Sequence, residues 1–129
     1  MEQQRYLIDT NAAIDYLGNK LPLSGMSFMN VLIDAVPIIS IITKIEVLGF
    51  VMPGEHNKLL LDFINDCSVL ALSNDIADEC IIIRKVHKTK LPDAIIAATA
   101  LVNNLTLITR NISDFKNIED LKVINPHEV

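Results

Sequence analysis

The chain has 129 residues, 50% of them hydrophobic, and a formal net charge of −5. This length is typical of one domain, and the apolar content excludes an intrinsically disordered chain. The acidic balance argues against a protein that holds nucleic acid through bulk positive charge, so a phosphate-bearing ligand would need a local basic patch or a bound metal ion.

Short apolar strands alternate with helices along the whole chain. The predicted strands cover 5–8, 36–40, 68–72, 105–109 and 122–124. The predicted helices cover 10–17, 26–35, 41–51, 55–66, 73–90 and 91–104, and a loop is expected over 110–120. This alternation predicts an α/β fold in which a parallel sheet of about five short strands carries helices on both faces. No repeat or linker interrupts the chain, so we expect a single domain over 1–129.

The cysteines and the N-terminus indicate a cellular compartment. Cys67 and Cys80 form neither a CxxC pair nor a zinc-binding spacing, so we expect reduced, structural thiols. The first residues lack the basic and apolar regions of a signal peptide, and no apolar stretch reaches the roughly 18 residues of a membrane span. These features predict a soluble, cytoplasmic protein with no membrane partner.

Four acidic residues lie close to the ends of predicted strands or at the start of a buried helix. Asp9 ends the first strand, Glu46 lies on the helix after the second, Asp93 starts the Ala-rich helix and Asp114 follows the fourth strand. Ligands of parallel sheets bind beyond the carboxyl ends of the strands, so these acids could meet at one edge. Three of them also have a purely structural explanation: Asp9 as a helix cap, Asp93 as a first-turn acid and Asp114 as a turn residue.

Glu46 fits a purely structural explanation worst. Its neighbours include Ile45, Val47, Leu48 and Phe50, and no lysine or arginine lies three or four residues away. A carboxylate among apolar side chains loses hydration unless a cation or hydrogen-bond donors compensate. A metal site is therefore the better explanation, although a surface role remains open.

A shared pocket of four carboxylates would need a metal ion to offset their repulsion. Ligands that are all oxygen, with positions left for water, suit Mg²⁺ or Mn²⁺. Histidine is a poor candidate ligand here, because His56 and His127 lie in an expected loop and tail and His87 follows a basic run. For these three residues we expect surface or packing roles.

The basic residues have two interpretations. Arg84, Lys85, Lys88 and Lys90 lie near the end of the predicted helix 73–90, where they form either a solvated face favoured by the helix dipole or a phosphate-binding track that leads to Asp93. Arg110 lies beside the acidic site, where it either contacts substrate or pairs with a nearby acid. The residues expected to contact a phosphate-bearing substrate are Arg110, Lys88 and Lys90.

Four short motifs contain the acidic residues: LIDTN at 7–11, SIITKIE at 40–46, LPDAIIAATA at 91–100 and LITRNISDF at 107–115. They resemble the motifs of the PIN-domain family, and specifically of the toxin ribonucleases of bacterial VapBC toxin–antitoxin pairs. Their order and spacing match the family, and the resemblance covers essentially the whole chain. It implies a PIN-like fold and a metal-dependent endoribonuclease that cleaves RNA with a metal-activated water.

The resemblance also implies roles for individual residues. Asp9 and Asp93 match the core ligands for Mg²⁺ or Mn²⁺, and Glu46 matches the acid that completes the site, directly or through water. Asp114 matches the family's most variable acidic position, and Asn111 could share its work. The small polar residues expected to orient the acids by hydrogen bonds are Asn11, Thr43, Thr109 and Asn111.

The implied partners are an RNA substrate, a cognate antitoxin protein and a second copy of the chain, because such toxins are commonly dimers that pair again in the antitoxin complex.

The residues Met26, Phe28, Met29 and Leu32 form either core or an exposed groove for a partner helix.

Two other functions remain as alternatives. One is a PIN-fold protein that binds without catalysis, which the presence of all four acids disfavours. The other is a receiver-like phospho-acceptor module, which needs an adjacent acidic pair after the first strand, whereas Thr10 and Asn11 follow Asp9 here.

Overall fold

Five short strands form one parallel sheet. The computed structural model of the protein describes residues 5–51 and 53–129. The strands are β1 (Tyr6–Ile8), β2 (Ile38–Ser40), β3 (Ser68–Leu70), β4 (Thr106–Ile108) and β5 (Val123–Ile124). They pair in the order β3-β2-β1-β4-β5, and every pair is parallel. This arrangement confirms the predicted α/β fold, with each strand within the segment predicted for it.

Helices connect the strands. They are α1 (Thr10–Leu17), α2 (Leu23–Asp34), α3 (Ile41–Leu48), α4 (Gly54–Asp66), α5 (Asn74–Val86), α6 (Leu91–Val102) and α7 (Ile112–Phe115). Ser40 caps α3, since its hydroxyl accepts a hydrogen bond from the Ile42 N–H at 3.0 Å. The short helix α7 was not predicted, because a single turn has no apolar periodicity to reveal it. His56 lies on α4 and not in the loop expected for it.

The predicted helix 73–90 is too long. Helix α5 ends at Val86, and His87 has extended backbone angles. Pro92 lacks an N–H and favours the first turn of a new helix, so α6 starts afresh. Lys88 and Lys90 therefore lie in the loop 87–90 between α5 and α6, and not on a helix.

The two faces of the sheet carry two separate hydrophobic cores. Successive strand residues point to opposite faces, so Leu7 and Leu107 pack with α5 and α6 while Ile8 and Ile108 pack with α1 to α4. Residues 94–100 of α6 are buried without interruption. The alanines among them allow α5 and the sheet to approach closely. Side chains that follow β1 and β4 are consequently held by packing on both faces.

The methionine-containing stretch of α2 belongs to the core. Met29 is fully buried, and Met26, Phe28 and Leu32 are partly buried against the same cluster. The ring of Phe28 meets that of Tyr6 edge-on, with centroids 5.6 Å apart. This packing supports the interpretation as core over the exposed groove.

The cysteines are free thiols. Cys80 is buried, and the Cys67 thiol donates a hydrogen bond to the carbonyl of Phe63 at 3.2 Å. No helix within 5–51 and 53–129 is both long and apolar enough to span a membrane.

The sheet order places a crevice at one defined edge. Strand β1 pairs with β2 on one side and with β4 on the other, so the chain direction across the sheet reverses at β1. Ligands of such sheets bind beyond the carboxyl ends of the strands at this reversal. A receiver-like fold has the order 2-1-3-4-5 instead, so the sheet order excludes that alternative.

Candidate active site at the carboxyl edge of the sheet

Asp9 lies at the reversal point and is held on all sides. Its N–H extends the sheet by donating to the Ile108 carbonyl at 2.9 Å. Its Oδ1 caps α1 by accepting from the Thr10 N–H at 2.8 Å, and its Oδ2 accepts from the Asn11 side-chain amide at 3.2 Å. The residue is only 4% exposed. Asp9 therefore does cap α1, through Oδ1. Its other carboxylate oxygen, Oδ2, is held by the side chain of Asn11, which also lines the crevice.

Three of the four predicted acids line one pocket. Asp9 at the end of β1, Glu46 on α3 and Asp93 in the first turn of α6 all border an open cavity of about 520 Å³. We call it the Asp9 pocket, and its other lining residues include Thr10, Asn11, Asp15, Ile45, Phe50, Arg110 and Asn111.

Asp114 lies outside this pocket. It borders a second cavity of about 330 Å³ that shares Asp93 with the first. We call it the Asp114 pocket, and Lys88, Lys90 and Asn117 also line it. The unpredicted helix α7 carries Asp114 into this second cavity, from which its charge acts on Asp93.

The carboxylates of both pockets repel one another. Burial raises the pKa of Asp9 to about 6, and the charges of Asp93 and Glu46 act in the same direction against hydrogen bonds from Thr109 and Thr10. Burial also raises the pKa of Asp93, as do the charges of Asp114 and Glu46, while Lys90 opposes them. Mutual repulsion of this kind is expected of acids that lack a cation between them.

Asn11 and Thr109 orient Asp9 as the family resemblance implies. The strand register pairs Ile8 with Ile108, which places Asp9 beside Thr109. The Asn11 amide donates to the Thr109 hydroxyl at 3.0 Å as well as to Asp9, and its own oxygen accepts from the Arg110 N–H at 3.0 Å. Asn111 contributes its backbone N–H, which donates to the Thr109 hydroxyl at 3.2 Å.

Glu46 is placed by a hydroxyl that the sequence did not single out. Its Oε1 accepts from the Thr10 hydroxyl at 2.7 Å, and that hydroxyl lies 3.1 Å from the Thr43 hydroxyl. Because a carboxylate only accepts, Thr10 donates to Glu46 and accepts from the buried Thr43. Thr43 thus acts on Glu46 through Thr10.

The argument that apolar neighbours desolvate Glu46 was wrong. Glu46 is exposed, and so are its neighbours Ile45 and Phe50, which are 60% and 59% exposed. Helix α3 turns Ile45 outward together with Glu46, Phe50 follows the helix end, and Val47 and the partly buried Leu48 face the core.

Arg110 forms a salt bridge, the second of its two predicted interpretations. Its Nη1 lies 3.1 and 3.0 Å from the two carboxylate oxygens of Asp15, and His127 Nε2 lies 2.9 Å from Asp15 Oδ2. The sequence singled out no role for Asp15, and for His127 it predicted a surface or packing role and not this contact. Asp15 follows Asn11 by four residues and so shares its helix face, a signal that could have found it. His127 carried no such local signal.

The residues fit a hard divalent cation in their chemistry. Over the described residues, no three acidic, histidine or cysteine side chains converge closely enough to enclose a metal ion as they stand. The donors at the crevice are nevertheless carboxylate oxygens, the ligands that Mg²⁺ and Mn²⁺ prefer, and the raised pKa values of Asp9 and Asp93 show a charge that a cation would neutralise.

Known structures share this architecture. A chain of a toxin–antitoxin complex from Klebsiella pneumoniae is 33% identical, with a TM-score of 0.75, over 96% of this chain and 99% of that chain. FitAcB from Neisseria gonorrhoeae is 25% identical, with a TM-score of 0.76 and coverage of 96% and 99%. DNA-bound VapBC from Salmonella typhimurium, at 22% identity, a TM-score of 0.82 and coverage of 96% and 99%, shares the fold.

Comparison with curated proteins gives no match. The family model of the PIN domain, in contrast, matches residues 6–121, which is most of the chain. The matched segment includes the four strands β1 to β4, and it contains Asp9, Glu46, Asp93 and Asp114. The chain belongs to the PIN domain family.

Proposed function

We propose that the chain is the toxin of a VapBC-type toxin–antitoxin module and an endoribonuclease that depends on Mg²⁺ or Mn²⁺. The observation that carries this proposal is the convergence of Asp9, Glu46 and Asp93 on one pocket beyond the carboxyl ends of β1 and β4. The 33% identity to a chain of a toxin–antitoxin complex supports the biological setting. PIN domains are in general nucleases, which supports the reaction class.

The acids divide the work of holding the ion. In the proposal Asp9 and Asp93 are its ligands, Glu46 completes the site directly or through water, and Asp114 is the fourth acid, in the cavity that also borders Asp93. A divalent ion bound by these acids would supply charge neutralisation for the phosphodiester and a lowered pKa for the attacking water. By resemblance to the family, the products carry a 5′-phosphate and a 3′-hydroxyl.

The chain's own hydrogen bonds prepare the acids for this task. The Thr10 N–H and the Asn11 amide fix the two oxygens of Asp9, and the Thr10 hydroxyl fixes Glu46. Groups held in place before substrate arrives need little reorganisation during the reaction. Arg110 in the Asp9 pocket and Lys88 and Lys90 in the Asp114 pocket are the proposed contacts to RNA phosphates.

The proposed partners follow from the relatives. We propose a cognate antitoxin that holds the toxin inactive, and a toxin homodimer that pairs again in the antitoxin complex. The K. pneumoniae relative, a chain of a toxin–antitoxin complex, supports the antitoxin. Co-expression of the small protein encoded directly upstream should relieve the growth arrest that the toxin causes when it is expressed alone.

RNA cleavage tests the reaction directly. Purified total RNA is incubated with the chain and Mg²⁺ or Mn²⁺, with and without EDTA, and compared with Asp9→Asn at matched circular dichroism. Asn retains the hydrogen-bonding oxygen that caps α1 but removes a ligand charge, so we expect a folded and inactive variant. Asp62→Asn is the matched control, because Asp62 forms an exposed ion pair with Lys58 on α4.

Thermal unfolding supplies a second readout that needs no cleavage. Binding to the folded state alone raises the melting temperature, so Mg²⁺ or Mn²⁺ should stabilise the unchanged chain and Asp62→Asn, but not Asp9→Asn. Cleavage that persists in EDTA, or that survives Asp9→Asn, would contradict the proposal. RNA binding with no cleavage under any metal condition would favour the alternative of a PIN-fold binding protein.

A further inference from the structure

A buried carboxylate that lines the Asp9 pocket has no role in the proposed metal site. Asp15 on α1 is only 3% exposed, and it is held by Arg110 and His127 from distant parts of the chain. A buried carboxylate is costly unless it is paired and hydrogen-bonded, so these two contacts are the ones that make this position tolerable. The same two contacts also hold the side chains of Arg110 and His127 in place against Asp15.

Arg110 is only partly used by this contact. Nη1 alone contacts Asp15, and the side chain is 51% exposed. Within 5–51 and 53–129, Nε and Nη2 have no protein partner. A guanidinium presents five N–H donors in a rigid fork, so three donors remain directed away from Asp15. Arg110 is also the one lysine or arginine lining the Asp9 pocket in the part of the chain that the structure describes.

The charge around Arg110 selects its ligand. The carboxylates of Asp9, Glu46 and Asp93 repel any anionic ligand, whether a carboxylate or a phosphate. An anionic substrate therefore needs a cation at the rim of the pocket. A planar fork fits the oxygens of a phosphate better than a lysine ammonium does. Because Asp15 already orders the long Arg110 side chain, less conformational entropy is lost when a phosphate binds.

The C-terminal segment is shaped to bring His127 to Asp15. Gly25 in α2 leaves room for it, since a Cβ at that position would collide with the carbonyl oxygen of Pro126. The His127 N–H in turn donates to the Asn125 side chain at 2.9 Å. These contacts seat the C-terminal segment against α2 and place the imidazole 2.9 Å from Asp15.

We propose that Asp15 and His127 are positioning residues that hold Arg110 as a binding site for one RNA backbone phosphate at the rim of the Asp9 pocket. This inference rests on the proposed ribonuclease function. It assigns Asp15 and His127 an effect on substrate binding that acts entirely through Arg110.

Steady-state cleavage of a fluorophore-labelled single-stranded RNA tests this. Arg110→Gln should raise KM about tenfold, the size expected for charge-assisted hydrogen bonds, and change kcat by less than about threefold. Asp15→Asn and His127→Gln should raise KM by smaller factors. The double variant Asp15→Asn/Arg110→Gln should match Arg110→Gln alone, because Asp15 acts through Arg110. Lys58→Gln and Asp62→Asn, which alter the exposed ion pair of α4, are the controls and should leave KM unchanged.

Neutralising one RNA phosphate at a time identifies the phosphate that Arg110 contacts. A neutral methylphosphonate is moved one position at a time along the same RNA. In the unchanged chain, one position near the cleavage site should raise KM, and in Arg110→Gln that position should have no further effect. Should Arg110→Gln fail to fold because the buried Asp15 loses its guanidinium partner, the double variant takes its place, with the same tenfold increase in KM expected against the unchanged chain.

Several outcomes would overturn the inference. Additive effects of Asp15→Asn and Arg110→Gln on KM would give Asp15 a merely structural role. Unchanged KM in Arg110→Gln, with normal cleavage by the unchanged chain, would overturn the phosphate site alone. An unchanged chain that neither cleaves nor binds the RNA would overturn the proposed function, and this site with it.

Discussion

The two sides of Asp93 differ in how firmly their groups are held. In the Asp9 pocket, two hydrogen bonds fix the Asp9 carboxylate, and the buried Asp15 fixes the only basic residue that the described chain contributes there. In the Asp114 pocket, Asp114, Lys88 and Lys90 are exposed on a single-turn helix and a loop. The side chains of these three form no hydrogen bond or ion pair with other described residues. One side is therefore organised before substrate binds, and the other can adapt to it.

The sheet explains this difference. Asp9 and Thr109 directly follow paired residues of β1 and β4, whose side chains fill the cores on both faces. Close-packed cores do not yield locally, so groups anchored at the strand ends keep their positions. Around Asp114, Phe115 anchors α7 in the core, but the side chains of Asp114, Lys88 and Lys90 themselves are exposed. We infer that the chemistry depends on the Asp9 pocket and that the Asp114 pocket contributes to RNA capture.

The largest expected contrast is between the two acids of the Asp114 pocket. Asp93 borders both pockets, so Asp93→Asn should lower the single-turnover cleavage rate by more than about a hundredfold, beyond the range typical of residues that only support a metal ligand. Asp114→Asn should lower it by about tenfold or less. Rates are compared at saturating Mn²⁺. Equal losses in the two variants would show that the two pockets form one functional unit.

The raised pKa of Asp9, about 6 against 3.8 for an ordinary aspartate, predicts a pH-dependent stability. Between these values the folded state binds more protons than the unfolded state, so the metal-free chain loses stability as pH rises through this window. The loss attributable to Asp9 reaches about 3 kcal/mol near pH 7. Asp9→Asn should therefore be more stable than the unchanged chain in EDTA at pH 7, and the difference should shrink towards pH 4.5.

Urea unfolding in EDTA between pH 4.5 and 7.5 measures this difference. Asp62→Asn removes an exposed carboxylate that lines neither pocket and is the control. Mg²⁺ should reverse the order at pH 7, because it stabilises only the chain that binds it. A stability difference between Asp9→Asn and the unchanged chain that stays constant with pH would contradict the buried, repelled state of Asp9.

A smaller effect separates two neighbouring asparagines. Asn11 joins Asp9, Thr109 and the Arg110 backbone, whereas Asn111 contributes only its N–H to this network. Asn11→Ala should lower cleavage by about 10- to 100-fold, as the loss of a residue that orients a metal ligand does. Asn111→Ala should change it by less than about threefold. Both are measured across a Mn²⁺ titration, and a comparable loss in Asn111→Ala would mean that its side chain joins the site.

The parts of the site that the sequence could predict are those encoded locally. Apolar runs place all five strands, and an acid at a strand end or a helix start identifies Asp9 and Asp93, whereas Glu46 lies within α3 and was identified by its motif. Helix α7 has only four residues, too few for a pattern, so the position of Asp114 on a helix could not be foreseen. Helix α5 was extended too far because the basic residues after it continue its charge pattern.

Contacts between distant residues mark the limit of such prediction. His127 reaches Asp15 across 112 positions, and the pairing of Arg110 with Asp15 spans 95. Nothing in local sequence specifies which acid a given arginine meets, because that depends on how α1, β4 and the C-terminal segment pack together. Thr10 was overlooked for a related reason, since its bond to Glu46 requires α1 and α3 to lie side by side.

The smallest expected effect concerns Lys88 and Lys90. Exposed lysines attract RNA mainly through counterion release, so Lys88→Gln and Lys90→Gln should each raise the Kd for single-stranded RNA a few-fold at low salt, and each should reduce the slope of log Kd against log salt by about 0.7. Above about 0.5 M salt, where exposed charges are screened within a few ångströms, the variants and the unchanged chain should bind alike.

Arg110→Gln provides the comparison, because a phosphate bound by an ordered fork retains hydrogen bonds that salt does not screen. Its defect should therefore persist at high salt, while those of the two lysine variants disappear. The measurement is fluorescence anisotropy with Ca²⁺ in place of Mg²⁺ to slow cleavage, and Lys58→Gln is the control for the loss of one exposed positive charge. A lysine defect that persists at high salt would place an ordered phosphate contact in the Asp114 pocket as well, and the difference between the two sides of Asp93 would then lie in their acids alone.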